Sequence, residues 1–408
     1  MLKAARSWAI VLFLSKNKRR KELDSMKEVA IAGMGFVKFG RYDGQKGRPY
    51  KEIYELGADA ITKALKYADM EWKDIQVAYG ASMFGGLGVP NQCTSRLGMP
   101  GFPITTVEGA CSSSQQAMRQ AYLDIANGMY DVGLAFGTEK IPPGLIADTL
   151  SPVWMLRMGF NLPGTYALGT RAYMQASGAT EEDMARVAVM ERKNAIMNPN
   201  AFWYQGPEIT VEEVLNSRMI ASPIRFLMAC ANADGASAAI VCSKDKLKSK
   251  AKAVTIVGSA HATATYGYDN LGNSVREKMN PNCTELACKQ VWEMSGYGPE
   301  DMDVIQLYEA MSPSFLWDAE DCGFCKRGEA AKLVREGYFE IGGKMPANTD
   351  GGLVGRGHPT GATGLAQIAE LFFQLRGEAG PRQVPGAKIA FNHCSGGGPN
   401  ALCHVLKR

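Results

Sequence analysis

The segment DIQVAYGA, residues 74–81, is matched later in the chain by DVIQLYEA, residues 303–310. Aspartate, tyrosine and alanine stand at the same offsets in both copies. Each copy is a short apolar run of the length expected for a buried β-strand. Two such segments in one chain indicate that it contains two copies of one structural unit.

The sequence around the two copies repeats in the same order. Each copy is followed by a turn of small residues that opens a long amphipathic helix, at residues 109–128 and 357–377, and an apolar strand comes next. This alternation predicts an α/β fold in two halves, residues 26–248 and 249–408. Residues 141–229, rich in methionine, proline and aromatic residues, form an insertion in the first half.

The positive charge of the chain is concentrated at its amino terminus. The net charge is +4, but residues 1–25 hold seven Lys or Arg and two acidic residues, so the remainder carries −1. No basic surface for nucleic acid is therefore expected. SWAIVLFL, residues 7–14, is too short to span a membrane, and KNKRRK follows where a signal peptide would be cleaved. We expect no membrane association, and a leader over residues 1–25 that is disordered or not native.

The ten cysteines are scattered along the chain and follow no disulfide framework. Without an export signal they predict a reducing, cytoplasmic setting. CGFC, residues 322–325, is a C-x-x-C pair, but a structural zinc site needs a second pair at matched spacing. We expect two cysteines on a short helical turn and no metal.

Cys111 lies in the turn VEGACSSSQ, residues 107–115, directly before the first long helix. Its small neighbours leave room for a ligand, and the N–H groups at the start of the helix favour a thiolate. A buried cysteine without chemical function fits the same pattern. The choice between the two depends on whether a base lies nearby.

His358 is the strongest of the four histidines as that base. It lies in GHPTGATG, at the position in the second copy that Cys111 occupies in the first, so two related halves would bring both helix starts to one cleft. Cys394 and Gly396 lie in CSGGG, where glycines let backbone N–H groups face a developing oxyanion. A helix cap and a tight glycine turn are the alternative interpretations.

The motifs ACSSS, GHPTGATG and CSGGG, in this order on a duplicated α/β chain, resemble those of the thiolase family. The similarity runs from about residue 28 to the end of the chain. The compact length and the segment GFCKRGEAAKLVREG are most similar to the sterol-carrier-protein-X-like, lipid-transfer-type acetyl-CoA acetyltransferase branch. The resemblance implies the thiolase fold, a duplicated five-layered αβαβα architecture with an inserted loop domain.

The resemblance also implies a role for each site residue. Cys111 would hold the acyl group, His358 would polarise the thiol and then bind the thioester oxygen, and Cys394 would move the α-proton of the enolate. Gly396 and the backbone N–H of Cys111 would complete the oxyanion sites. The activity implied is that of an acyl-CoA C-acyltransferase, a 3-ketoacyl-CoA thiolase, with coenzyme A as co-substrate and no bound cofactor or metal.

One motif departs from the family pattern. Thiolases usually carry Asn-Glu-Ala-Phe before the histidine turn, whereas this chain has YEAM, residues 308–311. Tyr308 therefore stands where the family has a water-orienting asparagine, and a phenol there would donate to the substrate oxygen or simply fill space. Two other functions stay open: a retro-aldol lyase that uses Tyr308, and a non-catalytic scaffold subunit of an acyl-CoA complex.

Partners and substrate follow from the same resemblance. Thiolases are usually at least dimers, and members of this branch often pair with a small OB-fold, zinc-ribbon protein, so we expect a homodimer and such a partner. Four aromatic residues of the insertion favour a bulky or aromatic acyl group from a degradation pathway: Trp154, Phe160, Tyr166 and Trp203.

Overall fold

The computed structural model describes residues 26–142, 157–158, 161–264, 282–397 and 400–408. The expected leader, residues 1–25, lies outside these residues, as do Trp154 and Phe160 of the insertion. Within the described ranges, no helix is long and apolar enough to cross a membrane.

The chain folds into alternating strands and helices, labelled here in chain order. The strands are β1 (Val29–Gly40), β2 (Val77–Ala81), β3 (Ile104–Val107), β4 (Val132–Glu139), β5 (Met219–Ala221), β6 (Ile224–Arg225), β7 (Asp234–Ser243), β8 (Val254–Thr263), β9 (Val304–Gln306), β10 (Ile389–Gly396) and β11 (Asn400–Lys407). The helices are α1 (Ile53–Ala68), α2 (Val89–Ser95), α3 (Ser113–Ala126), α4 (Leu162–Ser177), α5 (Glu181–Ala195), α6 (Val211–Asn216), α7 (Cys283–Ser295), α8 (Ser312–Asp321), α9 (Ala330–Arg335) and α10 (Thr360–Arg376).

One nine-stranded sheet runs through the molecule in the order β3-β2-β4-β7-β1-β8-β11-β10-β9. The run β2-β4-β7-β1 of the first half is repeated as β9-β10-β11-β8 in the second. Each run has a parallel pair followed by two antiparallel pairs. The halves meet where β1 pairs with β8, at Ala30 opposite Thr255. The duplicated α/β arrangement predicted from the repeated segment is therefore confirmed.

The helices α3 and α10, which follow the two repeated turns, pack against each other between the halves of the sheet. α10 contacts β4 and β7 of one half and β9 and β10 of the other, and all its residues except Phe373 and Arg376 are buried. Gly364 permits the close contact with α3, because a Cβ there would lie 2.5 Å from Cγ of Gln115. A helix that is buried on every side belongs to a central layer.

Two further helices cover the outer faces of the sheet. α1 packs on β1 and β7, and α7 packs on β8 and β11. Along β7 the side chains alternate between faces, as a strand requires. Ala238 and Ile240 pack in the cluster that contains α1, whereas Ala239 and Val241 pack in the cluster that contains α10. The result is the expected sequence of layers: helix, sheet, helix, sheet, helix.

The structure differs from the sequence prediction at one strand that bears on the site. The repeat predicts a strand over residues 303–310, but β9 ends at Gln306. The backbone N–H of Leu307 donates to Oδ1 of Asn348 at 2.8 Å and not to a neighbouring strand. Because the ladder stops there, Tyr308 leaves the sheet at its carboxyl end.

The described part of the insertion lies over the second half of the molecule. Its helix α5 packs against α8 and α9, and against a π-helical turn, Gly352–Arg356, that leads to His358. The insertion therefore supports the segment that carries the histidine.

Candidate active site

Cys111 is held in a tight turn, Ala110–Ser112, immediately before α3. Ala110 has a φ of 52°, a left-handed conformation that is costly for a residue with a side chain. Two hydrogen bonds stabilise this turn. The Ala110 N–H donates to Oε1 of Glu108 at 2.6 Å, and Ser112 Oγ donates to the Gly109 carbonyl at 2.8 Å. We call residues 109–112 the nucleophile turn, because they carry the candidate nucleophile, and their constrained backbone fixes where the sulfur lies.

The residues selected from the sequence meet in one buried site. Cys111, Tyr308 and Cys394 lie in a single side-chain cluster. The ring of His358 stands edge-on to that of Tyr308, with ring centroids 5.6 Å apart. The two halves do bring their helix starts together, since the Leu365 N–H of α10 donates to Oγ of Ser114 in α3 at 3.1 Å.

The hydroxyl group of Tyr308 lies between the thiol and the imidazole. It is 3.3 Å from Nε2 of His358 and is hydrogen-bonded to Cys111. Burial raises the pKa of the Cys111 thiol above its ordinary value, and the hydrogen bond with Tyr308 offsets only part of that effect. The Cys111 thiol is therefore neutral at rest and would have to lose its proton to a base before it could act as a nucleophile.

His358 has one ring nitrogen that is free to accept a proton, and this nitrogen faces Tyr308. Nδ1 is 2.7 Å from Oγ1 of Thr363, and that hydroxyl already donates to the Pro359 carbonyl at 3.0 Å. Because Thr363 can then only accept, the proton of the imidazole is on Nδ1 and the lone pair is on Nε2. Burial, reinforced by the charge of Arg356, lowers the pKa of His358 to about 3. The ring is neutral at physiological pH and can accept a proton.

Cys394 lies at the end of β10 and keeps its proton. Its thiol donates to the backbone carbonyl of Cys111 at 3.7 Å. Burial, and then the nearby Cys111, raise the pKa of Cys394 well above its ordinary value. The site therefore holds two thiols with different surroundings: one beside a base, and one that is kept as an acid.

Gly396 and Gly397, which we call the glycine turn, pack directly on the nucleophile turn. A Cβ at Gly396 would lie 2.2 Å from the carbonyl oxygen of Gly109, so only glycine fits there. The backbone N–H that is hydrogen-bonded to the sulfur of Cys111 belongs to the next residue, Gly397. This N–H is therefore a backbone donor that lies directly beside the Cys111 sulfur.

Tyr166 and Cys230 also pack against this cluster. Tyr166 comes from α4 of the insertion, and the Cys230 N–H donates to the Ala310 carbonyl at 2.9 Å. The aromatic content of the insertion pointed to Tyr166, whereas no pattern around Cys230 indicated a site residue. Trp203 lies elsewhere, with its ring 3.8 Å from the Arg192 guanidinium.

Glu309 connects the tyrosine segment to the π-helical turn. It accepts hydrogen bonds from the backbone N–H groups of Leu353 and Val354. Its other oxygen accepts from Nδ2 of Asn348 at 2.6 Å, and the same nitrogen donates to Glu191 at 2.9 Å. Burial raises the pKa of Glu309 to about 8 and that of Glu191 well above its ordinary value. Two buried carboxyl groups this close resist ionising together.

Glu309 is expected to make folding stability depend on pH. Because its pKa rises from 4.5 to about 8 on folding, the folded protein binds an extra proton in this window, and stability falls as pH increases through it. From about pH 5 to pH 8, the melting temperature should decrease less in Glu309→Gln than in the wild type. Glu293→Gln, at an exposed position, is the control. Equal losses in all three proteins would contradict this expectation.

One thiol of the C-x-x-C pair, that of Cys322, belongs to a second buried cluster of cysteines away from Cys111. Cys322 is hydrogen-bonded to Cys288, whose sulfur is 3.6 Å from that of Cys403. Among the residues that the structure describes, no group of three or more His, Cys, Asp or Glu is arranged to hold a metal ion. All ten cysteines are free of disulfide bonds.

Comparison with known proteins identifies the class of protein that this fold and site define. The family description "Thiolase, N-terminal domain" matches residues 29–245, and "Thiolase C-terminal domain-like" matches residues 267–408. The chain therefore belongs to the thiolase family. The resemblance seen in the three sequence motifs is confirmed.

The similar proteins cover nearly the whole chain. An acetyl-CoA acetyltransferase of Methanothermobacter thermautotrophicus is 34% identical, over 94% of this chain and 100% of that protein. The benzoylsuccinyl-CoA thiolase subunit BbsB of Thauera aromatica is 35% identical, over 92% and 96%. Sterol carrier protein 2 of Rattus norvegicus is 32% identical, over 94% and 72%. A solved structure described as Ltp2-ChsH2(DUF35) aldolase is 28% identical, with a TM-score of 0.81 over 93% of this chain and 97% of that chain.

Proposed function

We propose that this protein is a thiolase-type acyltransferase that cleaves a 3-ketoacyl-CoA with coenzyme A, or condenses two acyl-CoAs, through an acyl group on Cys111. The observation that carries the proposal is the chain of contacts from the Cys111 thiol through Tyr308 to the neutral His358, beside the protonated Cys394. The relatives named acetyl-CoA acetyltransferase and benzoylsuccinyl-CoA thiolase support an acyltransferase.

The first half of the reaction acylates Cys111. His358 takes the thiol proton through the Tyr308 hydroxyl, and the sulfur attacks the C3 carbonyl of the 3-ketoacyl-CoA. The C2–C3 bond then breaks, which leaves the acyl group on sulfur and an electron pair on C2. Cys394 donates its proton to C2 and releases the shorter acyl-CoA. The Gly397 N–H stabilises the negative oxygen that forms beside the sulfur.

The second half transfers the acyl group to coenzyme A. The CoA thiol gives its proton to the Cys394 thiolate, and its sulfur attacks the thioester on Cys111. The proton on His358 returns to Cys111 through Tyr308, so the enzyme is unchanged after one turnover. Two thiols are required because the first is acylated when the carbanion must be protonated.

The acyl group that we propose is bulky or aromatic and comes from a degradation pathway. Tyr166 places an aromatic ring against the cluster that contains Cys111. A relative 35% identical to this chain is named as a benzoylsuccinyl-CoA thiolase subunit. Both observations support an aromatic substrate over a short unbranched one.

We propose a homodimer and a small OB-fold, zinc-ribbon partner subunit. In the described sheet, β3 is an edge strand whose Thr105 and Thr106 are exposed, and an unpaired edge favours pairing with a second copy. Leu87 and Met99 are also exposed, 98% and 89%.

The proposed partner subunit is supported by two relatives. One is described as a subunit, and the other is a solved structure described together with a second protein. The free cysteines support a cytoplasmic location.

A retro-aldol lyase is the second candidate, because Tyr308 replaces the family asparagine and a similar structure is described as an aldolase. Such a reaction needs a base that removes a proton from a 3-hydroxyl group, with no acyl-enzyme. Burial, and then the neighbouring Cys111, raise the pKa of Tyr308 well above its ordinary value. Tyr308 therefore keeps its proton and is not available as a base, which favours the acyltransferase.

Tyr308→Phe separates the two candidates. An acyltransferase should lose about 10²-fold or more in kcat, because the proton path from Cys111 to His358 is interrupted, and should cleave 3-ketoacyl-CoA but not 3-hydroxyacyl-CoA. Product analysis with both substrates, with and without coenzyme A, is the measurement. Tyr338→Phe, which removes a hydroxyl from a half-buried tyrosine outside the cluster that contains Cys111, is the control and should leave kcat unchanged. Cleavage of 3-hydroxyacyl-CoA by the wild type, abolished in Tyr308→Phe, would instead establish the lyase.

A further inference from the structure

Asn400, the first residue of β11, connects three parts of the molecule through one side-chain amide. Its Oδ1 is 2.5 Å from Nε2 of His261 in β8. Its Nδ2 is 3.2 Å from Oγ of Ser112 and 3.4 Å from the carbonyl oxygen of Gly109. Ser112 and Gly109 belong to the nucleophile turn, and Asn400 itself is paired with Gly396 across β10 and β11.

Hydrogen-bond polarity fixes the orientation of this amide. The Gly109 carbonyl can only accept, and Ser112 Oγ already donates its proton to that carbonyl. Both groups therefore need the NH₂ side of Asn400, which leaves its oxygen facing His261. His261 must then carry its proton on Nε2 and donate it to Asn400. The orientation of the amide thus fixes the tautomer of His261, and the hydrogen bond between them holds the amide in place.

Asn400 also fills the space beside the glycine turn. An added Cβ at Gly396 would lie 2.8 Å from Nδ2 of Asn400 and 2.5 Å from Oγ of Ser112. The next N–H along the turn, that of Gly397, is the one hydrogen-bonded to the Cys111 sulfur. The Asn400 amide is therefore placed to set the distance between the glycine turn and the nucleophile turn.

We propose that Asn400 and His261 are positioning residues, which hold the glycine turn against the nucleophile turn so that the Gly397 N–H stays directed at the Cys111 sulfur. Neither side chain is assigned a contact with the substrate. The inference rests on the proposed function, because it takes Cys111 as the nucleophile and deepens the account of the same site.

The variants separate positioning from a merely structural role. Asn400→Leu and His261→Leu keep side-chain bulk but remove the hydrogen bonds. His261→Gln is the matched variant, because the amide nitrogen of glutamine can donate to Asn400 in place of Nε2. If Asn400→Leu does not fold, the two His261 variants still form a complete comparison.

The readout is the rate at which iodoacetamide alkylates Cys111 as a function of pH, followed by the mass of the Cys111 peptide. A hydrogen bond from Gly397 favours the thiolate, so loss of that bond should move the midpoint of the rate profile up by about one pH unit in Asn400→Leu and His261→Leu. His261→Gln should keep the wild-type midpoint. The other titratable groups that face Cys111 are the same in all variants: Glu139, Tyr166, Cys230, Tyr308 and Cys394.

An unchanged midpoint in both leucine variants, with or without a lower melting temperature, would overturn the proposal. A shift in His261→Gln as large as in His261→Leu would overturn the role given to His261. Because alkylation needs no acyl-CoA, the result does not depend on the substrate. A wild type that is alkylated normally but never forms an acyl adduct would contradict the proposed function alone.

Discussion

Replacement of Cys111 by serine is expected to reduce turnover of a 3-ketoacyl-CoA with coenzyme A by roughly 10³-fold or more, the size of effect seen when a covalent nucleophile is removed. The hydroxyl of serine is far less acidic than a thiol. His358 is a weak base, because burial lowers its pKa to about 3. Proton transfer through Tyr308 to such a base is therefore far less favourable from a serine hydroxyl than from a thiol.

The loss in Cys111→Ser should appear in kcat with little change in melting temperature, because serine has the same shape as cysteine and its hydroxyl can keep the hydrogen bond with Tyr308. Cys325→Ser, at the half-buried cysteine of the C-x-x-C pair, is the matched control and should keep wild-type turnover. Full carbon–carbon cleavage by Cys111→Ser would contradict the acyltransferase and favour the retro-aldol lyase.

Replacement of Cys394 by alanine is expected to separate the two halves of the chemistry. Transfer of an acyl group from a simple acyl-CoA to Cys111 moves no proton to carbon. The CoA thiolate can also leave without the proton that Cys394 otherwise supplies, because a thiolate is a stable leaving group, so this step should persist. Cleavage of the C2–C3 bond needs the proton that Cys394 holds, since burial keeps its pKa well above the ordinary value. Loss of this general acid should lower cleavage by about 10²–10⁴-fold.

Two measurements on the same Cys394→Ala sample test this separation. Peptide mass after incubation with acetyl-CoA reports acylation of Cys111, and product formation from a 3-ketoacyl-CoA with coenzyme A reports cleavage. Acylation without cleavage is the expected result. Loss of acylation together with cleavage would show that Cys394 supports the nucleophile and is not the proton donor to carbon.

The architecture was predictable because the sequence repeats its buried segments. Strands that are covered on both faces must be apolar throughout, so the matched runs at residues 74–81 and 303–310 revealed two equivalent units. Because the two units are equivalent, Cys111 and His358 were expected at corresponding helix starts. Their proximity follows from the packing of α3 against α10, which the repeat implies.

The role of Tyr308 was not predictable, because its direction depends on a distant side chain. The sequence indicates a strand through residue 310, and only the hydrogen bond from Leu307 to Asn348 shows why the strand ends early. The positioning amide was missed for the same reason. Asn400 and Ser112 are separated by 288 residues, and no local pattern around either residue records their contact.

The central claim is that an acyl group is carried on Cys111, and the most direct test is the mass of the peptide that contains it. The wild-type protein is incubated with a 3-ketoacyl-CoA in the absence of coenzyme A, quenched in acid and digested. We predict the added mass of the acyl group on Cys111, and its disappearance when coenzyme A is supplied before the quench. Formation of cleavage products with no adduct on Cys111, or with the adduct on Cys230 or Cys394 instead, would contradict the account.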